Sequence, residues 1–271
     1  MIVDKINAYL SGKDVVMNEV LRYEMEKLCG SIFKRQFMTE EAPAEAGKIR
    51  LSGCGKCVRQ LAYTYHGIER KGKEMDSRAK QIFFAGDLVE LAVIGVGRLA
   101  GCEMIATGLS QITVKLPVNG SVIEGHPDGM LLHNKELFLI EIKSMSSFSF
   151  KRFEEGYIDP SYIAQVNAYM ECLGLKRCVF VAMNKDNGIL QERIIERDEE
   201  VVKRVRETIY TVLHSTPDEL PEPPEEYSPD AKGHYPWNCL YCAYWGHCRP
   251  NAEKVLVRNS YKLKEKEKSD E

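Results

Sequence analysis

The distribution of apolar and polar residues along the chain predicts helices in its first hundred residues and a mixture of strands and helices after them. Apolar residues recur at helical spacing over residues 1 to about 37 and over 77–99. Later apolar runs are short, β-branched and bounded by turn residues, which is typical of strands. Strands are predicted at 103–107, 110–116, 120–124, 129–132, 136–143, 177–183 and 189–196, and helices at 160–173 and 198–214. The pattern indicates an α/β (α+β) chain.

The predicted strand at 136–143 carries the first candidate chemistry. Side chains alternate across a strand, so Glu141 and Lys143 lie on the same face. A turn pairs this strand with the run at 129–132, and the hairpin brings Asp128 beside Glu141. Two carboxylates and an amine on one sheet face suit Mg²⁺ or Mn²⁺, which prefer hard oxygen ligands. A surface salt bridge on a hairpin is the alternative interpretation of the same residues.

A second candidate carboxylate lies in the predicted helix at 77–99. Gly86 and Glu90 are one turn apart on the same side, and a glycine there lets the helix pack closely against a sheet. The neighbouring residues Leu88 and Leu91 are apolar, so a carboxylate among them needs a partner. A solvated helix face is the other hypothesis for Glu90.

Composition limits the kind of protein that this chain can be. The 271 residues are 44% hydrophobic and 28% charged, which is ordinary for one large or two modest domains. The net charge is −3, so a nucleic-acid partner would have to meet a local basic patch. The sequence has no apolar run of about 18 residues and no GxxxxGK[ST] motif, so we expect no membrane span and no P-loop motor.

The nine cysteines suggest a metal site. The N-terminal residues do not resemble a secretory signal, so we expect a cytoplasmic, reducing environment in which cysteines are metal ligands or core thiols. Three of them, Cys239, Cys242 and Cys248, form a C-x2-C-x5-C pattern near the C-terminal end. Three thiolates so close together are unfavourable unless a metal ion binds them. Cys54 and Cys57 form a second C-x2-C pair. Core thiols are predicted at Cys29, Cys102, Cys172 and Cys178.

Taken together, these motifs resemble the PD-(D/E)XK nuclease superfamily, and within it the RecB-type nucleases that carry an iron–sulfur cluster. The pattern is similar to the CRISPR-associated iron–sulfur exonucleases and to the nuclease part of bacterial AddB, over residues 50 to about 250. The matching motifs are G-x-x-x-[HE] at Gly86–Glu90, G-x-P-D at Gly125–Asp128, E-x-K at Glu141–Lys143, Q-x-x-x-Y at Gln165–Tyr169, and one cysteine before and three after this core. The resemblance implies a mixed central sheet flanked by helices, with a restriction-endonuclease-like core and an iron–sulfur-stapled helical subdomain.

The resemblance also implies roles for the motif residues. Glu90, Asp128, Glu141 and the Ile142 carbonyl would hold Mg²⁺ or Mn²⁺, and Lys143 would orient a water molecule or stabilise developing charge. The remaining motif residues, Gln165 and Tyr169, would position the nucleic-acid strand or support Lys143. Candidate nucleic-acid contacts are Arg59, Ser144, Lys151 and Arg152.

A [4Fe–4S] cluster is the cofactor that the resemblance implies for the cysteines. Cys57 matches the first ligand, because the family's C-x-R-x-x-x-Y neighbourhood is present at Cys57, Arg59 and Tyr63. The other three ligands would be Cys239, Cys242 and Cys248, and the cluster would staple the two ends of the chain around the core. Zinc is the alternative, with His247 or Cys54 completing a tetrahedral site.

The predicted organisation has five parts. They are an N-terminal helical extension at 1–48, a metal-cluster subdomain at 49–75 and 230–255, a PD-(D/E)XK nuclease core at 76–215, a proline-rich connector at 216–229 and a charged tail at 256–271. We expect the tail to be a frayed helix or disordered. The extension is longer than in compact members of the family and has no predicted role.

The predicted function is a divalent-metal-dependent DNA exonuclease that hydrolyses phosphodiester bonds at single-stranded ends. The alternative is a catalytically silent nuclease-fold module that binds DNA ends for a partner, and a third hypothesis is an iron–sulfur redox carrier. The partners implied by the resemblance are DNA and either a helicase or CRISPR integration proteins. CRISPR spacer acquisition, recombinational repair and phage recombination all fit the sequence.

Overall fold

The structure is a computed structural model and describes residues 1–12, 18–38, 46–71, 77–258 and 260–266 of the chain. Its helices are α1 (Ile2–Leu10), α2 (Glu19–Phe33), α3 (Val58–Tyr65), α4 (Ser77–Leu99), α5 (Ser147–Glu154), α6 (Pro160–Leu173), α7 (Glu199–Leu213), α8 (Trp237–Leu240) and α9 (Trp245–Cys248). Its strands are β1 (Glu103–Ile105), β2 (Val114–Val118), β3 (Ser121–Gly125), β4 (Gly129–His133), β5 (Glu136–Met145), β6 (Arg177–Asn184), β7 (Leu190–Glu196), β8 (Ala252–Val257) and β9 (Ser260–Glu265).

Five strands form a mixed central sheet in the order β1-β4-β5-β6-β7. β5 and β6 are parallel, and the other neighbouring pairs are antiparallel. A parallel pair requires a crossover connection, and helices α5 and α6 supply it between β5 and β6. Strands β2 and β3 form a separate antiparallel hairpin.

The two central strands are buried on both faces, which explains why their sequences are almost continuously apolar. On one face, Ile140 of β5 and Val181 of β6 pack into a cluster with Ile2 and Ile6 of α1 and Ile94 of α4. The first helix of the extension therefore completes the hydrophobic core of the sheet.

The opposite face of the sheet is covered by the crossover helices. Phe150 and Phe153 of α5 are almost fully buried, and the ring centroid of Phe153 lies 5.7 Å from that of Phe180 in β6. Tyr162 of α6 contacts the same Phe180 ring with 5.9 Å between centroids. Because side chains alternate along β5, Glu141 and Lys143 belong to this face.

The chain divides into two compact units. The first, here called the sheet unit, comprises Met1–Ala42, Arg50–Gly55 and Ser77–Arg206, and it contains the central sheet. The second, here called the thiol unit, comprises Pro43–Ile49, Lys56–Asp76 and Glu207–Glu271.

The predicted mixed central sheet flanked by helices is confirmed. The strand predicted at 110–116 begins four residues further along the chain, as β2, and a 3₁₀ turn at Gly108–Ser110 precedes it. Residues 39–45 of the predicted extension lie outside the described residues. Within the part of the chain that the structure describes, no helix has the length and apolar character to cross a membrane.

The prediction of a frayed or disordered tail was wrong for residues 256–258 and 260–266, because β8 and β9 form an antiparallel hairpin. Leu263 is fully buried, and it packs with Ala252, Tyr235 and Leu240 in a small apolar cluster of the thiol unit. Most other side chains of the hairpin are exposed or half-buried. Because so few residues of this hairpin are buried, its sequence resembles that of a charged tail. The last residues, 267–271, lie outside the described residues.

Replacing Ile140 by alanine is expected to lower the free energy of unfolding by about 2–5 kcal/mol, because the side chain is fully buried. Ile194 of β7 is 43% exposed and provides the matched control. The same replacement there should change the free energy by less than about 1 kcal/mol. Urea unfolding followed by circular dichroism measures both values, and equal losses would contradict the assignment of Ile140 to the core.

Candidate active site

The carboxylate of Glu141 is buried in the middle of β5, where its residue is 0% exposed. Its Oε1 atom accepts a hydrogen bond from Gln165 Nε2 at 2.8 Å and forms a salt bridge with Lys143 Nζ. Its Oε2 atom is buried and has no hydrogen-bond partner among the residues that the structure describes. A buried charged oxygen without a partner is costly, so Oε2 marks a position where a further positive or donor group would be stabilising.

Asp128 lies immediately before β4, as the predicted hairpin requires. The β4–β5 register pairs Gly129 with Ile140, so Asp128 is opposite Glu141 one step further along. The Oδ2 atom of Asp128 accepts a hydrogen bond from the backbone amide of Ile142 at 2.7 Å. Burial raises the pKa of Asp128 well above its ordinary value, and repulsion by the carboxylates of Glu141 and Glu90 raises it further.

Glu90 approaches the same group of charges from helix α4. Burial raises its pKa to about 7, with additional repulsion from Asp87 and Glu141. Arg35 and Lys143 act in the opposite direction and favour its charged form. The three carboxylates predicted from the sequence therefore interact electrostatically, although they come from separate elements.

The ammonium group of Lys143 is held between anionic and aromatic side chains. Its Nζ lies 5.2 Å from the centroid of the Tyr162 ring, in a cation–π contact. Burial alone lowers the pKa of Lys143, but attraction by Glu141 and Asp128 outweighs burial and raises the pKa above its ordinary value. Lys143 therefore carries a positive charge at neutral pH, which suits it to stabilise negative charge.

Gln165 and Tyr169 share a face of α6, as their spacing predicts. Gln165 Nε2 donates to Glu141 and lies 3.5 Å from the hydroxyl oxygen of Tyr169. Tyr169 is only 1% exposed, so the prediction that it positions a nucleic-acid strand does not fit its burial. Gln165 thus supports the carboxylate of Glu141, whereas the sequence suggested support of Lys143.

The two motif glycines, Gly125 and Gly86, differ in how closely other atoms approach them. A Cβ atom on Gly125 would lie 2.5 Å from Cε1 of Tyr169 and 2.9 Å from Cβ of Leu51, so only glycine allows this close packing. At Gly86, an added Cβ would meet no atom of the described part of the chain within 4 Å. The prediction that Gly86 lets α4 pack closely against the sheet was therefore wrong.

The carboxylates have the donor chemistry for a divalent cation but not the spacing. Oxygen-rich, mutually repelling carboxylates and the unpartnered Oε2 of Glu141 fit a hard cation such as Mg²⁺ or Mn²⁺. However, among the residues that the structure describes, no three His, Cys, Asp or Glu side chains form a group that could hold a metal ion. Oε1 of Glu141 and Oδ2 of Asp128 are instead occupied by Lys143 and by a backbone amide.

The predicted nucleic-acid contacts have different surroundings. Lys151 of α5 is exposed, whereas the guanidinium of Arg152 lies 3.7 Å from the centroid of the Tyr157 ring. Ser144 is half-buried in β5, where it is paired with Met183 of β6. Arg59 belongs to the thiol unit and forms a 2.9 Å salt bridge with Glu222. Of the four, Lys151 is the side chain most accessible to a phosphate.

Four cysteines of the thiol unit line one pocket. They are Cys57, Cys239, Cys242 and Cys248, the four residues that the sequence pattern selected. Burial raises the pKa of Cys239 to about 12 and that of Cys242 to about 11, and the neighbouring thiols contribute to both shifts. Neither Cys54 nor His247 is among the described residues that line the pocket, so the two proposed zinc completions lack support.

Two residues that line the pocket also carry buried N–H groups without acceptors. They are Trp245 and Arg249, whose Nε1 and Nε atoms have no hydrogen-bond partner among the described residues. Cys57 precedes the first turn of α3, where the backbone amides of Gln60 and Arg59 partly offset the burial that raises its thiol pKa. Converging thiols and N–H donors fit a sulfur-rich, anionic group.

Contacts within the thiol unit hold the two cysteine-bearing segments together. Tyr63 of α3 stacks on Tyr244 with 5.2 Å between ring centroids, and the amide of Gly246 donates to the carbonyl of Lys71 at 2.9 Å. A Cβ on Gly246 would lie 2.2 Å from that carbonyl oxygen. Glycine is thus required where the C-x5-C segment meets the chain that follows α3.

Sequence reasoning missed three residues near the carboxylates. Tyr162 precedes Gln165 by three residues, so helical spacing alone could have identified it. Asp87 precedes Glu90 by the same interval and accepts contacts from Arg35 and from Gln36. No local pattern connects Arg35 with α4, because this contact depends on the packing of distant segments.

Comparison with known proteins gives distant structural likenesses. No family model and no curated protein matches the chain. The chain is similar to a protein called SSO0001, with 18% identity, 86% of this chain and 98% of that chain covered, and a TM-score of 0.45. It is also similar to the alkaline exonuclease LHK-Exo from Laribacter hongkongensis, with 19% identity, coverage of 66% and 90%, and a TM-score of 0.46. A phage-related exonuclease from Haemophilus somnus 129PT has 15% identity, coverage of 62% and 92%, and a TM-score of 0.34.

These structural neighbours thus include exonucleases, but none reaches 25% identity or a TM-score of 0.5. Likenesses at this level do not assign an activity. The contacts around Glu141 and around the four thiols are therefore the basis for any functional conclusion.

The raised pKa of Glu90 predicts that the metal-free protein loses stability as the pH rises from about 4.5 to about 7. The carboxyl group has an ordinary pKa of 4.5 and a pKa of about 7 in the folded protein, so the folded state holds a proton that the unfolded state has lost. This contribution to stability is complete below the window and absent above it.

The variant Glu90→Gln cannot titrate at this position and should not show this loss. The free energy of unfolding of the variant, measured in urea with EDTA, should rise relative to that of the wild type between pH 4.5 and 7. Above the window the difference should be constant. Parallel pH curves for the two proteins would contradict the burial of Glu90 beside the other carboxylates.

Proposed function

We propose that this protein is a metal-dependent nuclease of the PD-(D/E)XK type, acting on DNA. The observation that carries the proposal is Glu141, a fully buried carboxylate with one oxygen bound to Lys143 and the other without a partner in the described ranges of the chain. Asp128 and Glu90 add two further carboxylates whose pKa values the shared environment raises. Such a cluster of acids beside an ammonium group matches the chemistry of phosphodiester hydrolysis.

The residues of the sheet unit have separate tasks in this proposal. Glu90, Asp128, Glu141 and the Ile142 carbonyl would hold Mg²⁺ or Mn²⁺ once the carboxylates lie closer together than they do in this structure. The bound ion would activate water and neutralise phosphate charge. Lys143 keeps its proton and stabilises the negative charge that develops on the phosphate.

Surrounding residues keep these groups in place. Gln165 fixes Glu141 through the hydrogen bond to Oε1, and Gly125 lets Tyr169 pack closely behind this pair. Lys151 of α5 and Ser144 of β5 remain candidates for contact with the strand. The finer assignment to an exonuclease that prefers single-stranded ends rests on the sequence resemblance, as do a helicase or CRISPR integration proteins as partners.

We further propose that the four pocket cysteines bind a [4Fe–4S] cluster with a structural role. A single zinc ion would hold four thiolates at zinc–sulfur distances of about 2.3 Å, whereas the described cysteines do not form a group that could hold one metal ion. A cluster distributes its thiolate ligands over several iron atoms, so it suits thiols that surround a wider pocket. The unpartnered N–H groups of Trp245 and Arg249 would donate to its sulfur atoms.

The domain assignment is part of the same proposal. Residues 76–215 would form the nuclease core, and 49–75 with 230–255 would form the cluster subdomain. The proline-rich residues 216–229 would connect them.

Replacing Lys143 by alanine should reduce cleavage of a labelled single-stranded oligonucleotide in Mn²⁺ by at least about a hundredfold, because the charge that stabilises the phosphate is lost. Lys176 is exposed beside β6, and Lys176→Ala is the matched control that should retain wild-type cleavage. Circular dichroism establishes that both variants are folded at the assay temperature.

Two outcomes would count against this assignment. Cleavage by Lys143→Ala at the wild-type rate would remove Lys143 from the reaction. Wild-type protein that binds the oligonucleotide in Mn²⁺ and in EDTA without cutting it would favour the silent end-binding module.

Replacing Cys242 by serine should remove most of the iron and acid-labile sulfide from anaerobically purified protein, because one of four ligands is lost. Cys172 of α6 is half-buried in the sheet unit and serves as the control, so Cys172→Ser should keep its full metal content. Elemental analysis and visible absorbance measure the result. A colourless wild-type protein with zinc and no iron would contradict the cluster.

A further inference from the structure

An exposed group of aromatic side chains lies at the end of the N-terminal extension. Three rings contact one another, with centroid distances of 5.0 Å for Phe33–Phe84, 5.0 Å for Phe37–Phe84 and 5.8 Å for Phe33–Phe37. Phe33 is 49% exposed and Phe37 is 54% exposed, although phenylalanine is usually buried. These three residues are here called the phenylalanine trio, and exposed apolar groups of this kind commonly mark a binding surface.

The backbone at this place is unusual as well. After α2, residues Lys34–Met38 continue as a π-helical turn. Such turns are rare and are frequent at functional sites. The turn carries Lys34 and Arg35 and no acidic residue, so cationic groups accompany the exposed rings.

Two contacts attach this turn to the helix that carries Glu90. The guanidinium of Arg35 forms a 2.8 Å salt bridge with Oδ2 of Asp87, and Gln36 Nε2 donates to the same oxygen at 2.6 Å. Phe84, Asp87 and Glu90 follow one another at intervals of three residues along α4. Phe84 is thus about 9 Å from Glu90 along the helix axis and about 120° from it around the axis.

We propose that the phenylalanine trio is a stacking platform that binds the bases of single-stranded DNA beside the carboxylate site. This inference rests on the proposed function and identifies the residues that bind the substrate next to that site. Aromatic rings beside basic residues are the combination by which proteins bind single strands without sequence preference, because every base has a flat face. The 9 Å interval corresponds to about two or three stacked nucleotides at about 3.4 Å each.

The charges of the turn favour DNA over an apolar protein surface as the occupant. Lys34 is exposed and can meet the phosphate backbone, while Arg35 fixes the turn to α4 through Asp87. An interface with a second copy of this chain would require the rings to act only through their apolar area. Aromatic and aliphatic substitutions separate these two possibilities.

The test measures binding of a fluorescein-labelled oligothymidine to the full chain in EDTA by fluorescence anisotropy. The double variant Phe33→Ala/Phe37→Ala should raise Kd about 5- to 150-fold, since stacking contributes about 1–3 kcal/mol per base. Phe37→Trp should bind like the wild type, whereas Phe37→Leu should bind more weakly although it stays apolar. Tyr261→Ala, at a 64% exposed residue of β9 in the thiol unit, is the control and should leave Kd unchanged.

Binding by Phe37→Leu and by the double variant at wild-type Kd would overturn the platform. The proposed function would stand in that case, because the wild type still binds the strand. A double variant that changes only the molar mass in light scattering, and not Kd, would identify the trio as a subunit interface and also overturn the platform. A wild-type protein that neither binds nor cleaves the oligonucleotide would instead refute the proposed function.

Discussion

The charge on Glu141 is the constraint on which the arrangement of the sheet unit depends. A carboxylate in the interior of a sheet is destabilising unless neighbouring groups compensate its charge. Lys143 on the same strand and Gln165 on the crossover helix share one of its oxygens. The parallel β5–β6 pair requires that helix, and the helix in turn supplies the amide and the Tyr162 ring beneath the ammonium group. Fold and site chemistry are therefore connected through one side chain.

The thiol unit differs from the sheet unit in what can stabilise it. Its sheet is only a two-stranded hairpin, and its apolar cluster is small, so the unit has few buried side chains with which to stabilise itself. The four cysteines and the unpartnered donors of Trp245 and Arg249 lie where a bound group would supply the missing interactions. Ligand binding and folding of such a small unit are expected to be coupled.

Short-range periodicity predicted much of the structure. Alternation along β5 and the turn that precedes it were enough to bring Asp128, Glu141 and Lys143 together, and helical spacing joined Gln165 with Tyr169. Contacts between distant segments were not predictable in this way. The close approach of Tyr169 to Gly125 and the open surroundings of Gly86 depend on tertiary packing, which one sequence does not encode locally. The spacing of the carboxylates depends on the same packing, and the β8–β9 hairpin was concealed by its many charged residues.

The position of the thiol unit in the chain also determines the order in which it can be completed during synthesis. Cys57 leaves the ribosome early, whereas Cys239 to Cys248 follow only after the whole of Ser77–Arg206 has been made. The strands and crossover helices of the sheet unit are therefore available to fold while Cys57 is still without its neighbours. A nascent chain interrupted before residue 239 would retain the carboxylates and Lys143 but lack three of the four pocket cysteines, so the thiol pocket is completed only after the residues of the sheet unit have been synthesised.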